Sequence, residues 1–270
     1  MSNIADAIYN MHYIDEVAGA GSPIHRIHPL AKLLVTIVYL FIVVSFSKYD
    51  IIAMLPLVFY PVIMLSLGDI PVRLLSKPML IAAPLVLGIG IFNPIMDPSP
   101  LMIVGSVTVT GGWISFLSLV FKCILTVTAA IILVASTGME KVALSLRILH
   151  VPRLFVLQLL LTYRYIYVLM EEAGRVWNAY ILRAPGQKGI HFRVWGPLAG
   201  QMLLRTMDRA QRVYEAMKLR GFEGEYHPGG VQKFSGGDVA FALGWILFLV
   251  MVRYYNLPAL IGQLGARGLS

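Results

Sequence analysis

Apolar residues gather into five runs that are each long enough to cross a membrane. A bilayer core about 30 Å thick needs about 20 mostly apolar residues at a helical rise of about 1.5 Å each. The runs cover residues 30–47, 51–67, 79–96, 113–136 and 239–255. Only Lys48, Tyr49 and Asp50 separate the first two runs, so these must form an antiparallel hairpin. The pattern predicts an all-α integral membrane protein with about five transmembrane helices.

The segment between the fourth and fifth runs carries apolar residues at helical spacing, interrupted by proline and glycine. It predicts three further helices, over 139–150, Pro152–Ala184 and Pro197–Gly221. On the last of them, apolar residues recur at alternating intervals of four and three, which predicts a coiled-coil-like seam of Leu203, Met207, Ala210, Tyr214 and Met217. We therefore expect the second and third of these helices to cross as a pair.

Residues 151–170 of the long helix are apolar enough to form a sixth span. Arg153, Arg164 and several tyrosine and glutamine side chains would make a crossing exposed to lipid costly. A helix packed along the inner face of the membrane is the favoured interpretation, and a true crossing is the alternative.

The distribution of basic residues predicts the orientation, because basic loops stay on the cytoplasmic side. Residues 97–112 contain no Lys or Arg, so this loop is expected outside, where its alternating pattern suits a short hairpin. Residues 138–237 contain fourteen Lys and Arg against seven Asp and Glu, which accounts for seven of the eight net positive charges. Lys48 and Arg253 are minor exceptions near the outer surface.

This orientation divides the chain into four parts. They are a cytoplasmic N-terminal segment at 1–29, a four-span bundle at 30–136, a cytoplasmic domain of long helices at 137–237, and a final span with an external tail at 238–270. The expected location is the cell (inner) membrane, with the N-terminus inside. Residues 1–21 have no apolar core of the signal-peptide kind, so no cleaved leader is expected.

Composition supports a membrane protein and narrows the chemistry. The chain of 270 residues is 58% hydrophobic and 13% charged, against about a quarter charged in soluble proteins. Since the net charge of +8 is explained by topology, no nucleic-acid partner is expected. A single cysteine, Cys123, excludes a disulfide framework and a cysteine zinc site. The sequence also lacks a glycine-rich phosphate loop of the Walker type, so nucleotide hydrolysis by that route would need partner proteins.

Three sets of polar residues are weak candidates for a site of their own. His25 and His28 could share a helix face, but Pro29 argues against that helix, and no metal site is predicted. Lys122 lies within a span, where it is either functional or packed against backbone carbonyls. A membrane transferase would need clustered aspartates for magnesium, and the aspartates stand apart in the sequence. A self-sufficient secondary transporter would be expected to show internal repeats, and the two halves of the chain do not match.

Both long helices of the 137–237 segment are predicted to finish on an arginine beside a small residue. The endings are Leu182-Arg183-Ala184 and Leu219-Arg220-Gly221. An arginine at a helix C-terminus can complement the helix dipole, or it can enter a groove on a partner and bind carboxylates or carbonyls with its planar fork. Two such ends on one helix pair make a docking role a hypothesis to test.

These endings belong to a longer pattern. It begins with His28-Pro29-Leu30-Ala31-Lys32-Leu33-Leu34 before the first span. It continues through Ala135-Ser136-Thr137, Leu144, Leu149, Val151-Pro152, Tyr163-Arg164-Tyr165, Glu171-Glu172, Arg175, Asn178-Ala179, Arg183, Arg209-Ala210 and the ending Ala216–Phe222. The combination resembles the transmembrane coupling (T) subunit of energy-coupling factor ABC transporters, in particular the cobalt-type CbiQ family.

The resemblance implies that Arg183 and Arg220 insert into grooves on two cytoplasmic ABC ATPase subunits, while the membrane part holds a separate substrate-capture subunit. Supporting contacts on the helix pair would come from Arg164, Glu171, Glu172, Arg175, Arg209 and Met217. The endings depart from the family's common Ala-Arg-Gly form, although each keeps its arginine. ATP and Mg²⁺ would bind to the partners, and this chain would hold no cofactor and no catalytic residue.

The implied function is coupling in an ATP-driven importer, with cobalt as the implied cargo. Nickel or a vitamin stays open as the cargo, because a subunit that couples motion need not touch it. A membrane-embedded transferase is the alternative function.

Overall fold

The computed structural model describes residues 13, 15–19, 21–97, 100–104, 107–184, 186, 189–224 and 234–254. Its helices follow the chain as α1 (Pro29–Ser45), α2 (Ile51–Gly68, tightened to a 3-10 turn at Leu55–Val58), α3 (Arg73–Gly90), α4 (Phe92–Met96), α5 (Gly111–Thr137), α6 (Met139–Ile148), α7 (Arg153–Arg183), α8 (Phe192–Leu219) and α9 (Gly236–Tyr254). A 3-10 turn at Pro23–Arg26 precedes α1. Strands β1 (Pro100–Val104) and β2 (Val107–Thr110) lie between α4 and α5.

The prediction of an all-α membrane protein is confirmed, with one short hairpin added to it. Strands β1 and β2 pair antiparallel in the predicted polar loop. By length and composition, five helical segments of the described chain could cross a membrane: α2, α3 continued by α4, α5, α7 and α9. The five differ from the predicted set, because α7 meets the criterion and α1, with 17 residues, is shorter. At about 1.5 Å per residue α1 extends about 25 Å, close to the hydrocarbon thickness.

The described residues divide into two compact units. The bundle unit contains the described residues between 15 and 138 and those of 234–254. The inserted unit contains Tyr13 and the described residues of 139–224, with α6, α7 and α8. Each unit is described below by itself.

Helix α1 is the central element of the bundle unit. It packs against α5 and α9, and its residues Val35, Tyr39 and Val43 are fully buried. The surrounding core comes from α2, α5 and α9, with Met54, Leu57, Tyr60, Ile132, Leu249 and Val252. Lipid, unlike water, cannot satisfy polar groups, so the bundle's buried hydroxyls bond internally. Tyr60 OH lies 2.9 Å from Thr36 Oγ1, and Tyr39 OH donates to the Leu57 carbonyl at 3.1 Å.

Polar side chains at both ends of α1 fix the relative directions of its neighbours. At its start, Asp238 of α9 accepts a hydrogen bond from the His28 backbone N–H at 2.8 Å. At its end, Arg253 of α9 donates to the Ser45 carbonyl at 3.4 Å, so α1 and α9 run parallel. Lys122 of α5 donates to the Phe46 carbonyl at that same end. The opposite end of α5 lies at the start of α1, so α5 runs antiparallel to it.

These contacts answer the question that the sequence raised about Lys122. Its ammonium donates to a backbone carbonyl inside the bundle unit, which is the packing interpretation. Arg253 and Lys48 are likewise more than solvated exceptions: Arg253 lies 5.0 Å from the Phe46 ring, and Lys48 pairs with Asp97 at 3.1 Å. Three cations therefore gather where the chain turns from α1 into α2.

The inserted unit is much less buried. Helix α7 has 31 residues and α8 has 28, which gives lengths of about 46 and 42 Å. None of the α8 residues is buried. The predicted start of this helix at Pro197 is wrong, since α8 begins at Phe192 and includes Pro197. A proline early in a helix removes one backbone hydrogen bond, and the first turn has unpaired N–H groups in any case.

Candidate functional site: the ends of the paired helices

The two predicted arginine endings lie where their helices stop. Arg183 is the last residue of α7, and Ala184 closes the helix with its N–H bonded to the Tyr180 carbonyl at 3.0 Å. Arg220 is the C-cap of α8. Both guanidinium groups belong to exposed residues, and the described part of the chain supplies an ion pair to neither. Each is free to meet a partner.

The leucine before each arginine is also exposed. Leu182 is 82% exposed and Leu219 is 90% exposed, among the highest values for large apolar residues in the described chain. A single exposed leucine needs no explanation, but the same Leu-Arg pair occurs at both helix ends. An apolar side chain next to an unpaired guanidinium is suited to a partner groove that has an apolar wall and carbonyl or carboxylate acceptors.

The α8 ending has a defined cap. The Phe222 N–H bonds to the Met217 carbonyl at 3.0 Å, and the Gly221 N–H bonds to the Lys218 carbonyl at 3.0 Å. These two bonds form a Schellman motif, which requires a left-handed residue at the position that Gly221 occupies with φ +78°. The glycine of the second ending is therefore needed by the backbone, whatever it contacts in a partner.

The α7 ending is built differently. Ala184 has φ −126° and ψ 65°, which any residue can adopt, and a positive φ occurs only two residues later, at Gly186. An alanine can therefore stand where the second ending has glycine. This accounts in backbone terms for one departure from the Ala-Arg-Gly form.

Glu172 joins the two helices. Arg205 of α8 donates to its Oε1 at 2.7 Å, and Arg175, one turn further along α7, lies 3.0 Å from its Oε2. The hydrogen bond from Arg205 and the charges of Arg175, Arg205 and Arg209 hold the pKa of Glu172 below its usual value. Its side chain is only 17% exposed, although both arginines are largely in solvent.

A cleft of about 490 Å³ lies beside this ion pair. Its walls include Thr162, Tyr165, Leu169, Arg205 and Arg209. Among the described residues no group of His, Cys, Asp and Glu side chains could hold a metal ion. The cleft combines an apolar α7 wall with arginines from α8.

The structure brings together some of the predicted supporting residues and leaves others apart. Glu172, Arg175 and Arg209 form one cluster, and the Met217 carbonyl takes part in the α8 cap. Arg164 and Glu171 are exposed and have no ion pair within the described chain. Sequence reasoning missed Arg205, the direct partner of Glu172. The signal for it was an acid pair on one helix and basic residues on the next.

The predicted seam of α8 is wrong by about one residue. Leu203, Met207 and Tyr214 are 60%, 54% and 57% exposed, so they do not face α7. The half-buried residues of α8 up to its end are Met202, Thr206, Val213 and Met217. One residue corresponds to a rotation of about 100° around a helix axis. The Arg205–Glu172 pair sets this rotation, and an apolar count cannot detect it.

A model of the CbiQ family, described as cobalt transport protein, matches residues 20–228. The chain belongs to the CbiQ family. This CbiQ-family match covers α1 to α8, including both arginine endings and the Glu172 cluster. The family assignment suggested by the sequence pattern is thereby confirmed.

Two curated proteins are similar to parts of this CbiQ-family chain. The cobalt transport protein CbiQ of Salmonella typhimurium is 31% identical over 80 residues, which are 29% of this chain and 35% of that protein. The nickel permease LarQ of Lactiplantibacillus plantarum is 29% identical over 91 residues, 34% of this chain and 33% of that protein. The chain thus matches about a third of the length of each curated relative.

Proposed function

We propose that this protein is the membrane-embedded coupling component of an ATP-driven energy-coupling factor importer. Its place is the cell membrane, with the inserted unit in the cytoplasm. Two ABC ATPase subunits bind ATP and Mg²⁺ and grip the ends of α7 and α8, and the bundle unit holds a separate capture subunit for the cargo. The chain itself is a non-catalytic transporter subunit.

One observation carries the proposal: the repeated Leu-Arg endings of α7 and α8, exposed and without an ion pair among the described residues. Two similar ends on one helix pair suit two similar partners. The Glu172–Arg205 contact supports it, because a tie between α7 and α8 lets a force on either end act on both helices.

Cobalt is the proposed cargo, on the description of the family and the name of the Salmonella relative. Nickel is the second candidate, since the Lactiplantibacillus relative is named a nickel permease. Within the described chain no cluster of ligating side chains could bind either ion, which agrees with a capture subunit that does so. Uptake of cobalt and of nickel by the same reconstituted complex, measured in parallel, distinguishes the two cargoes.

Reversal of the two arginine charges tests the docking role. Arg183→Glu with Arg220→Glu should leave the protein inserted in the membrane but abolish co-purification of the ATPases and ATP-driven uptake. The matched control is Arg193→Glu with Arg212→Glu, which makes the same charge change at two exposed α8 positions away from the endings. Full uptake by the Arg183/Arg220 variant, or equal loss in both double variants, would contradict the docking role.

A further inference from the structure

The start of α1 contacts both segments through which the chain passes between its units. The chain leaves the bundle unit after Gly138 and re-enters it between residues 224 and 234. Lys32 bonds to the first of these segments on its bundle side, and His28 lies against the second. Within the bundle unit, two segments far apart in sequence are thus held by residues 28–32.

Lys32 holds the departing segment. Its side chain is 1% exposed, and its Nζ donates to the Ser136 carbonyl at 2.7 Å, two residues before Gly138. The last carbonyls of a helix have no partner within it, and a cation there also complements the helix dipole. Gly138, with φ +81°, then turns the chain out of α5. The exit from the bundle unit is therefore fixed to α1 by a buried charge.

Asp238 holds the returning segment. It is 6% exposed, and its Oδ1 accepts the His28 N–H and its Oδ2 the Ser235 N–H, each at 2.8 Å. One carboxylate thereby caps the first turns of α1 and α9. The His28 ring also packs on Phe234, with ring centroids 4.9 Å apart.

Burial of these two charges is costly, and an apolar residue of similar size often packs a helix interface as well as an ion does. Their hydrogen bonds fix directions and positions at the helix ends, which apolar contacts specify less sharply. Helix α1, which carries Val35, Tyr39 and Val43 through the centre of the core, can pass on a displacement because a close-packed interior transmits strain.

We propose that Lys32 and Asp238 are positioning residues that transmit movement of the inserted unit to α1 and so to the bundle unit. The inference rests on the proposed coupling function. It assigns a mechanical role to the first turn of α1, remote in sequence from the arginine endings.

The chain offers a matched control for Lys32. Lys122 also donates to a carbonyl at a helix end, that of Phe46 at the far end of α1. Phe46 follows Lys32 by 14 residues, which is about 21 Å along a helix. Lys32→Met and Lys122→Met therefore remove the same chemistry from opposite ends of one helix. The complete complex, purified through a tag on this chain and reconstituted in proteoliposomes, should be measured for cobalt and nickel uptake and for ATP hydrolysis.

We expect Lys32→Met to lower the ions imported per ATP hydrolysed by about fivefold or more, the size of a typical coupling between sites, with ATP hydrolysis retained. Lys122→Met should keep the wild-type ratio even if its melting temperature falls as far. Lys32→Arg should restore most of the ratio, since it keeps a buried cation with donors. Asp238→Asn, nearly the same shape, should lower the ratio as Lys32→Met does, and it serves if Lys32→Met does not assemble.

Two results would overturn the inference. One is an unchanged ratio in Lys32→Met and Asp238→Asn despite lost thermal stability, which is a purely structural role. The other is an equal fall in Lys122→Met, which means that any weakening of the bundle unit uncouples transport. Failure of the proposed function is seen separately, because the wild-type complex would then show no ATP-dependent uptake.

Discussion

Arg205 and Glu172, 33 residues apart, form a 2.7 Å hydrogen-bonded ion pair that joins α8 to α7. Arg175 bonds to the other oxygen of the same carboxylate, so Glu172 is held from two directions. None of the α8 residues is buried, so apolar burial contributes little to its position. The ion pair therefore has an unusually large share in keeping the two helices in register.

Glu172→Gln should loosen the pairing of α8 with α7. A neutral amide keeps the shape but loses the charge that binds Arg175 and Arg205. Amide hydrogen exchange along α8 should accelerate by about two- to fivefold, the range expected when an exposed ion pair is lost. Glu171→Gln is the matched control, because Glu171 is exposed and has no ion pair within the described residues, and its exchange should match wild type. Equal acceleration in both variants would show that Glu172 has no special role.

The same pair predicts a pH dependence. The folded pKa of Glu172 is lowered, chiefly by the hydrogen bond from Arg205, so ionised Glu172 stabilises the folded state. This contribution is complete above the unfolded pKa of about 4.3 and is lost as the pH falls through the lower folded pKa. After correction for the intrinsic rate, α8 exchange should stay constant from neutral pH to about pH 5 and rise only in stronger acid. Glu172→Gln should show no such acid-dependent rise.

The membrane segments were largely predictable because the bilayer imposes length and polarity on each of them. Trp113 to Ser136 was expected as a span, and α5 covers it from Gly111 to Thr137. The hairpin before α5 was predictable from its alternating pattern, and β1 and β2 form it. These features depend on local sequence and on the solvent, so one chain is enough to find them.

The contacts between distant segments were not predictable in this way. Nothing in the spacing distinguishes Arg205 from Arg209 or Arg212 as the partner of Glu172, because the choice depends on where the two helices cross. The same applies to Lys32 and Asp238, whose partners Ser136 and His28 lie 104 and 210 residues away in sequence. Helical periodicity reports an apolar face, whereas α8 turns a mixed face with Arg205, Thr206 and Arg209 towards the cleft.

Gly221→Ala should disturb the end of α8. The Schellman motif needs a left-handed residue here, and a side chain in that conformation costs about 1–2 kcal/mol. The bonds from Gly221 and Phe222 to Lys218 and Met217 should weaken, and the Arg220 guanidinium would lose its defined direction. ATPase affinity should fall by about fivefold to thirtyfold if that cost appears fully in binding.

The control for this substitution lies on the same helix. Gly200 is inside α8, and a Cβ added there meets no atom within 4 Å. Gly200→Ala should therefore stabilise α8 by about 0.5–1 kcal/mol and leave ATPase affinity unchanged. Titration of purified ATPase against each variant measures both effects. Wild-type affinity in Gly221→Ala would show that the cap geometry is unimportant for docking.

The orientation of the chain can be tested by labelling at two described positions. The basic segment predicts that Phe192 of the inserted unit faces the cytoplasm and that Tyr49, in the turn between α1 and α2, faces outside. Both are exposed, Phe192 at 88% and Tyr49 at 38%. Because Cys123 is the single cysteine of the sequence, Cys123→Ser gives a background for single-cysteine variants. A membrane-impermeant maleimide on intact cells should label Tyr49→Cys at once and Phe192→Cys only after the membrane is opened. Labelling of Phe192→Cys in intact cells would place the arginine endings beyond the reach of cytoplasmic ATPases, and coupling through them would be impossible.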